Sequence, residues 1–110
     1  MSAFFESEII KESLEDINKL QEDVYGKLVH FHMMTYDEQI DHVSKLTELL
    51  DKQRIMYTRL SLSDDPDAVV MKESLNKTVT MMGYPEGTDI AVLFKNMHAT
   101  IDALKEFLET

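Results

Sequence analysis

Apolar side chains return every three or four positions along four stretches of this chain, and that rhythm predicts its architecture. In the first stretch Ile10, Leu14, Ile17, Val24, Leu28 and Phe31 fall at alternating steps of four and three, with Gln21 the one polar interruption. A repeat near 3.5 residues puts them along one stripe of a helix, predicted over about 4–31. Lys11 with Glu15, Glu15 with Lys19, Lys19 with Asp23 and Asp23 with Lys27 then meet on the solvated face as opposite charges four apart. Gly26 falls late in the pattern, where it weakens a helix relative to alanine; either the helix yields there or another backbone comes close, and the second is the slightly favoured expectation.

A second helix, about 36–61, carries the clearest start signal. Thr35-Tyr36-Asp37-Glu38 fits a capping box, in which the threonine hydroxyl accepts an orphan N–H and the glutamate reaches back to the cap. Tyr36, Ile40, Val43, Leu46, Leu50, Tyr57 and Leu60 supply its apolar face, and Leu49, Ile55 and Met56 widen it, which suggests contact with more than one neighbour. The first two helices, each roughly 25 residues and about 37 Å long, are expected to form an antiparallel hairpin across a short turn.

Ser63-Asp64-Asp65-Pro66-Asp67 punctuates the chain. Pro66 suits the first position of a helix, where its missing N–H is no loss, and Asp65 is pushed to the extended conformation of a cap. The third helix is predicted over about 66–82, with Leu75, Val79 and Met82 inward and Gly83 as its stop. After a turn at Tyr84-Pro85-Glu86-Gly87, Thr88 caps a fourth helix, about 88–109, whose Ile90, Phe94, Met97, Ile101, Leu104 and Leu108 form the strictest apolar repeat in the protein. Strand-like alternation is lacking throughout. The expected class is all-α: a single four-helix, antiparallel, bundle-like domain with a long N-terminal helical hairpin.

Composition narrows the functions open to such a domain. The chain has 110 residues, 44% of them hydrophobic, with only 3 glycines and 2 prolines, so one domain of few, long elements is expected. Eleven basic residues stand against 21 acidic ones, a formal charge of -10. That field repels nucleic acid and anionic membrane surfaces and attracts a basic protein surface. With no cysteine, disulfides, thiolate metal sites and a cysteine nucleophile are excluded. The start of the chain does not read as a secretory signal, the longest apolar runs, such as Ile90–Phe94, are far too short to span a membrane, and the expected address is cytoplasmic.

Four constellations invite a chemical reading. His30, His32, Met33 and Met34 combine imidazole and thioether, which suit a soft metal, but residues two apart on a helix diverge by about 200°, and a helix end with a favourable His charge is the simpler account. Glu38 and His42 share a face that points away from Ile40 and Val43, hence toward solvent, and lack the companion helices of a carboxylate di-metal site. Asp64, Asp65 and Asp67 read as caps, since an EF-hand loop needs a central glycine and a closing glutamate that are not here. The eight methionines read first as core filling and second as a surface that repacks around partners. No catalytic residue and no cofactor follow from any of these.

A protein partner is therefore the leading expectation. The candidate contact residues are Phe4, Phe5, Arg54, Tyr57 and Arg59: the phenylalanines either staple the first helix or anchor a partner, and the arginines either pair with Asp64 or Asp65 or reach a partner's carboxylate. Apolar stripes too wide for a single neighbour also suggest a two-fold homodimer. A metal-binding or redox helper using His30, His32, Met33 and Met34, and a structural virion component, stand as alternatives.

Three stretches together carry a resemblance: Ala3-Phe4-Phe5-Glu6-Ser7-Glu8-Ile9-Ile10, the run from Arg54 through Tyr57 and Arg59 to Pro66, and Phe94-Lys95-Asn96-Met97-His98-Ala99-Thr100-Ile101. In this order and spacing the chain resembles a family of short helical proteins of unknown function from cyanobacteria and the phages that infect them. The resemblance covers nearly the whole chain and implies a cytoplasmic all-α protein with no activity, cofactor or catalytic residue to carry over. The surplus of acid points to the phage branch. Around Tyr84–Thr88 the chain departs from the family pattern, where the helix begins at the proline, which leaves the start of the last helix open by several residues.

Overall fold

The computed structural model describes residues 3–110. Among them five α-helices and one 3-10 turn account for the regular structure: α1 (Ala3–Glu6), α2 (Glu8–Leu28), a 3-10 turn (Phe31–Met33), α3 (Tyr36–Leu62), α4 (Pro66–Met81) and α5 (Ile90–Glu109). No strand occurs among the described residues, so the all-α class holds.

The first predicted helix is in fact three pieces. Ser7 takes an extended conformation (φ −62°, ψ 132°) and splits off α1, letting Phe4 and Phe5 fold back onto the core formed by Ile10, Ile17, Val24, Leu49 and Met56. At the other end α2 stops at Leu28, and the chain tightens into the 3-10 turn, so Phe31 lies over α3 instead of continuing the stripe. Gly26 meets no close neighbour: a Cβ there would touch nothing within 4 Å, which overturns the expected backbone approach. Of the four ion pairs expected along α2, Asp23–Lys27 forms at 3.1 Å, while Lys11 turns back to Glu8 at 3.8 Å.

The remaining boundaries follow their local chemistry. Thr35 Oγ1 accepts from the Glu38 N–H and Glu38 Oε1 accepts from the Thr35 N–H, both at 3.2 Å, completing the capping box. Asp65 Oδ1 accepts the Asp67 N–H at 3.0 Å in front of Pro66, so the junction aspartate is a cap as expected. The last helix starts later than Thr88: Asp89 is its cap, its Oδ1 accepting the Ala91 N–H at 2.8 Å. Two tertiary contacts fix that point, because Asn76 Oδ1 accepts the Ile90 N–H at 3.2 Å and the Tyr57 hydroxyl donates to Asp89.

Helix α3 is the shared wall of the molecule. On one side it meets α2 antiparallel, as the cross-contacts Asp23–Lys45, Asp16–Lys52 and Ser13–Arg59 show. On the other side it packs against α4 and α5, around a second core of Leu50, Tyr57, Val79, Ile90 and Phe94. Helices α2 and α5 share no substantial contact, so the bundle is open. The result is flat, with extents of 47 × 34 × 19 Å and a radius of gyration of 15.8 Å, against about 13 Å for a compact domain of this length. No described helix is long and apolar enough to cross a membrane.

Candidate functional site

The residues singled out from sequence go to three different places. Phe4 and Phe5 are half-buried, stacked edge to face with ring centres 5.0 Å apart, and packed on the first core. The Phe4 N–H also donates to Asp65 Oδ2 at 3.2 Å. This pair is the staple of the two readings offered for it, holding α1 against the start of α4.

Tyr57 is buried, and this removes it from the surface candidates. Its hydroxyl donates to both carboxylate oxygens of Asp89 at 3.0 Å, and its ring meets Phe94 at 6.1 Å. Burial first, and the Asp89 carboxylate second, push its phenol up to about 12.

Arg54 and Arg59 remain exposed, but neither takes the expected junction carboxylate: Arg54 reaches Asp51 at 3.8 Å, and Arg59 Nη1 donates to Ser13 Oγ at 3.2 Å. Arg59 edges a cleft of about 180 Å³ between α2 and α3, floored by Ile17 and Met56 and walled by Asp16 and Lys52.

The richest surface is the closed end of the α2–α3 hairpin. Tyr25, Leu28, Val29, Met33 and Tyr36 all expose half or more of their surface there, Met33 74% of it. His30 and His32 are exposed on the same turn and Met34 is half-buried beside them. No group of three or more His, Cys, Asp or Glu side chains able to hold a metal occurs among the described residues. Asp37, Glu38 and Asp41 stand exposed on the first turns of α3, directly after Tyr36 in the chain.

His42 overturns its sequence reading. Instead of pointing to solvent with Glu38, it is 2% exposed, and neither Nδ1 nor Nε2 has a hydrogen-bond partner among the described residues. The Phe31 ring covers it at 5.5 Å, tilted 48°. Periodicity gave no warning, because the covering residue arrives from a turn.

The methionines also shift the balance drawn from composition. Met56 is core, but Met33, Met71, Met81, Met82 and Met97 are exposed. The sequence reading also missed His98, which bridges Asp51 (3.3 Å) on α3 and Asp102 (3.5 Å) on its own helix. The His98–Asp102 spacing was visible in the sequence; the α3 partner was not.

These features define an open, acidic, all-α domain with an apolar end and shallow surface clefts. The family model described as "Domain of unknown function (DUF1825)" matches residues 2–108, and the chain belongs to that family. No curated protein matches the chain, and no solved structure does.

Proposed function

We propose that this protein is a non-catalytic interaction module that docks a basic segment of another protein on the closed end of its helical hairpin. The observation that carries the reading is the exposure of Tyr25, Leu28, Val29, Met33 and Tyr36 together between positions 25 and 36. Clustered exposed apolar side chains mark interaction surfaces far more than scattered ones do, and methionine and tyrosine are favoured in them. The neighbouring Asp37, Glu38 and Asp41, in a chain of net charge -10, select a cationic partner. Arg54 and Arg59, exposed about 27 and 35 Å farther along α3, offer contacts to carboxylates of the same partner where that partner runs the length of the helix.

A second copy is the natural cover for α5. Its inward repeat is buried at Ile90 and Phe94, but Met97, Ile101, Leu104 and Leu108 are only partly covered, and Phe107 is 76% exposed. A two-fold contact through this half-helix would complete the stripe. The resemblance to proteins of cyanobacteria and their phages extends the reading to a phage-carried modulator of a host protein, acting in the host cytoplasm.

The test is capture from a cyanobacterial lysate with the wild-type chain and with a Leu28→Ser/Met33→Ser variant. Wild type should retain a saturable basic partner whose recovery falls as salt rises, and the variant, equally folded, should lose it. Equal recovery by both forms, or no specific partner at low salt, refutes the docking reading. Sizing at micromolar concentration tests the dimer, and a monomer there removes it.

A further inference from the structure

We infer that His42 is a proton-sensitive latch on the closed end of the α2–α3 hairpin: while its ring is neutral the turn over positions 29–35 lies shut on it, and when the ring takes up a proton that turn opens.

The geometry leaves a charged ring nowhere to go. A neutral imidazole has one donor and one acceptor; the protonated ring has two donors and a charge. In the closed structure both nitrogens are buried and unmatched by any described protein group, and the Phe31 ring packs against the imidazole at 5.5 Å. A buried charge must be paired or the group stays neutral.

The surrounding charges are already committed to one another. From α2 come Asp23 and Lys27, and from α3 itself Asp41 and Lys45. They form one chain of ion pairs, Lys27–Asp23 at 3.1 Å, Asp23–Lys45 at 3.4 Å and Lys45–Asp41 at 3.5 Å. The covering turn contributes Phe31 and no charge to the ring, its own His30 and His32 being exposed. Two cations and two anions cancel, so a proton on His42 adds an unbalanced charge. To reach Asp23 or Asp41 the ring must leave its slot, displacing Phe31 and competing with Lys45.

Burial, and then Lys27, hold the imidazole below its ordinary range; Lys45 adds to this, while Asp23 and Asp41 pull the other way. The sign follows. The open form, with an ordinary histidine near 6.5, binds more protons than the closed one. Closure is therefore fully stable above that value and is lost as pH falls through the lower value of the closed state. Few bonds hold the turn: the Gln39 side chain donates to the Phe31 carbonyl at 3.0 Å, His30, Met33 and Met34 donate three short-range backbone bonds, and only at Thr35 does the capping box tie it to α3. Segments with few buried contacts open at low cost.

Amide hydrogen exchange on the full chain at pH 7.5 and 5.0, corrected for intrinsic rates and referred to α4, tests the latch without any partner, so its failure leaves the docking reading standing. Opening of amides 30–36 should rise at least threefold in wild type. The ceiling is about 30-fold, set by an open-state histidine titrating at its ordinary value. A folded His42→Leu variant should show no rise. Should that variant not fold, the wild-type ring signal of His42 decides: it should titrate below the ordinary range, together with the turn amides. A wild-type rise under threefold, an equal rise in His42→Leu, or a ring that titrates at the ordinary value under a still-protected turn overturns the inference.

Discussion

Replacing Tyr57 by phenylalanine removes the hydroxyl that ties α3 to the start of α5. The ring slot is unchanged, since phenylalanine fills the same space beside Phe94. What is lost is the hydroxyl, which donates to both oxygens of Asp89 at 3.0 Å. A hydrogen bond to a charged group contributes about 1.5–3 kcal/mol. This one belongs at or slightly below the low end. It is shared between two acceptors, its length exceeds the 2.5–2.7 Å of a strong hydroxyl–carboxylate bond, and Asp89 is exposed. The expected loss is about 1–1.5 kcal/mol, a fall in Tm of roughly 4–7 °C for a domain of this size.

Asp89→Ala should cost more, about 2–3 kcal/mol, because it also removes the cap on the Ala91 N–H. The decisive assay is the double-mutant cycle by urea unfolding. A coupling near 1 kcal/mol is expected, since both single variants delete the same bond. Additive effects, or a Tyr57→Phe loss below about 0.5 kcal/mol, would refute the contact as a structural tie. An alkaline titration checks the same site independently. The folded protein keeps the Tyr57 proton to about pH 12, whereas the unfolded chain releases it near 10. Stability should therefore fall as pH rises from 10 to 12, and a phenolate absorbance step near pH 12 should be present in wild type and missing from Tyr57→Phe.

Two further substitutions test local accounts of helix stability. Gly26→Ala should stabilise by about 0.5–1 kcal/mol, because the position is helical and a Cβ meets nothing within 4 Å; destabilisation in a thermal melt would mean that a neighbour does approach. Thr35→Ala should cost about 0.5–2 kcal/mol by removing the hydroxyl acceptor of the capping box, and exchange of the Glu38 amide should rise more than that of amides in α4.

What could be read from the sequence is what local chemistry dictates. The capping box at Thr35, the cap and proline at Asp65 and Pro66, and the hairpin formed by two long stripes each depend on residues close in sequence. The departures all involve distant residues. Ser7 breaks the first helix where Phe4 and Phe5 fold onto the core between α2 and α3 and Asp65 takes the Phe4 N–H. The last helix begins beyond Thr88 because Asn76 and Tyr57 converge on Asp89 and Ile90. His42 is buried because a turn folds over it, and Tyr57 is core because α5 lies where it does. Of the five contact candidates, Tyr57 is buried, Phe4 and Phe5 are half-buried and Arg54 and Arg59 are exposed, while the exposed cluster at 25–36 has no signature in the periodicity. The repeat assigns Leu28 and Phe31 to one inward stripe, but its buried part ends at Val24.

The wide apolar face on α3 explains why so much oily surface is left over. Leu49 and Met56, seven apart, face α2, while Leu50 and Tyr57, also seven apart, face α5. The two seams are offset by a single residue, and successive residues on a helix diverge by about 100°. Neighbours placed at that angle around a shared wall pack little against each other, and α2 and α5 share no substantial contact. A closed bundle would have turned the ends of both inward stripes against a fourth side. Here the C-terminal half of α5 and the end of α2 keep apolar side chains in partial contact with water. The exposed patches thus follow from how α3 divides its face, and any surface that covers them would add the missing side of the bundle.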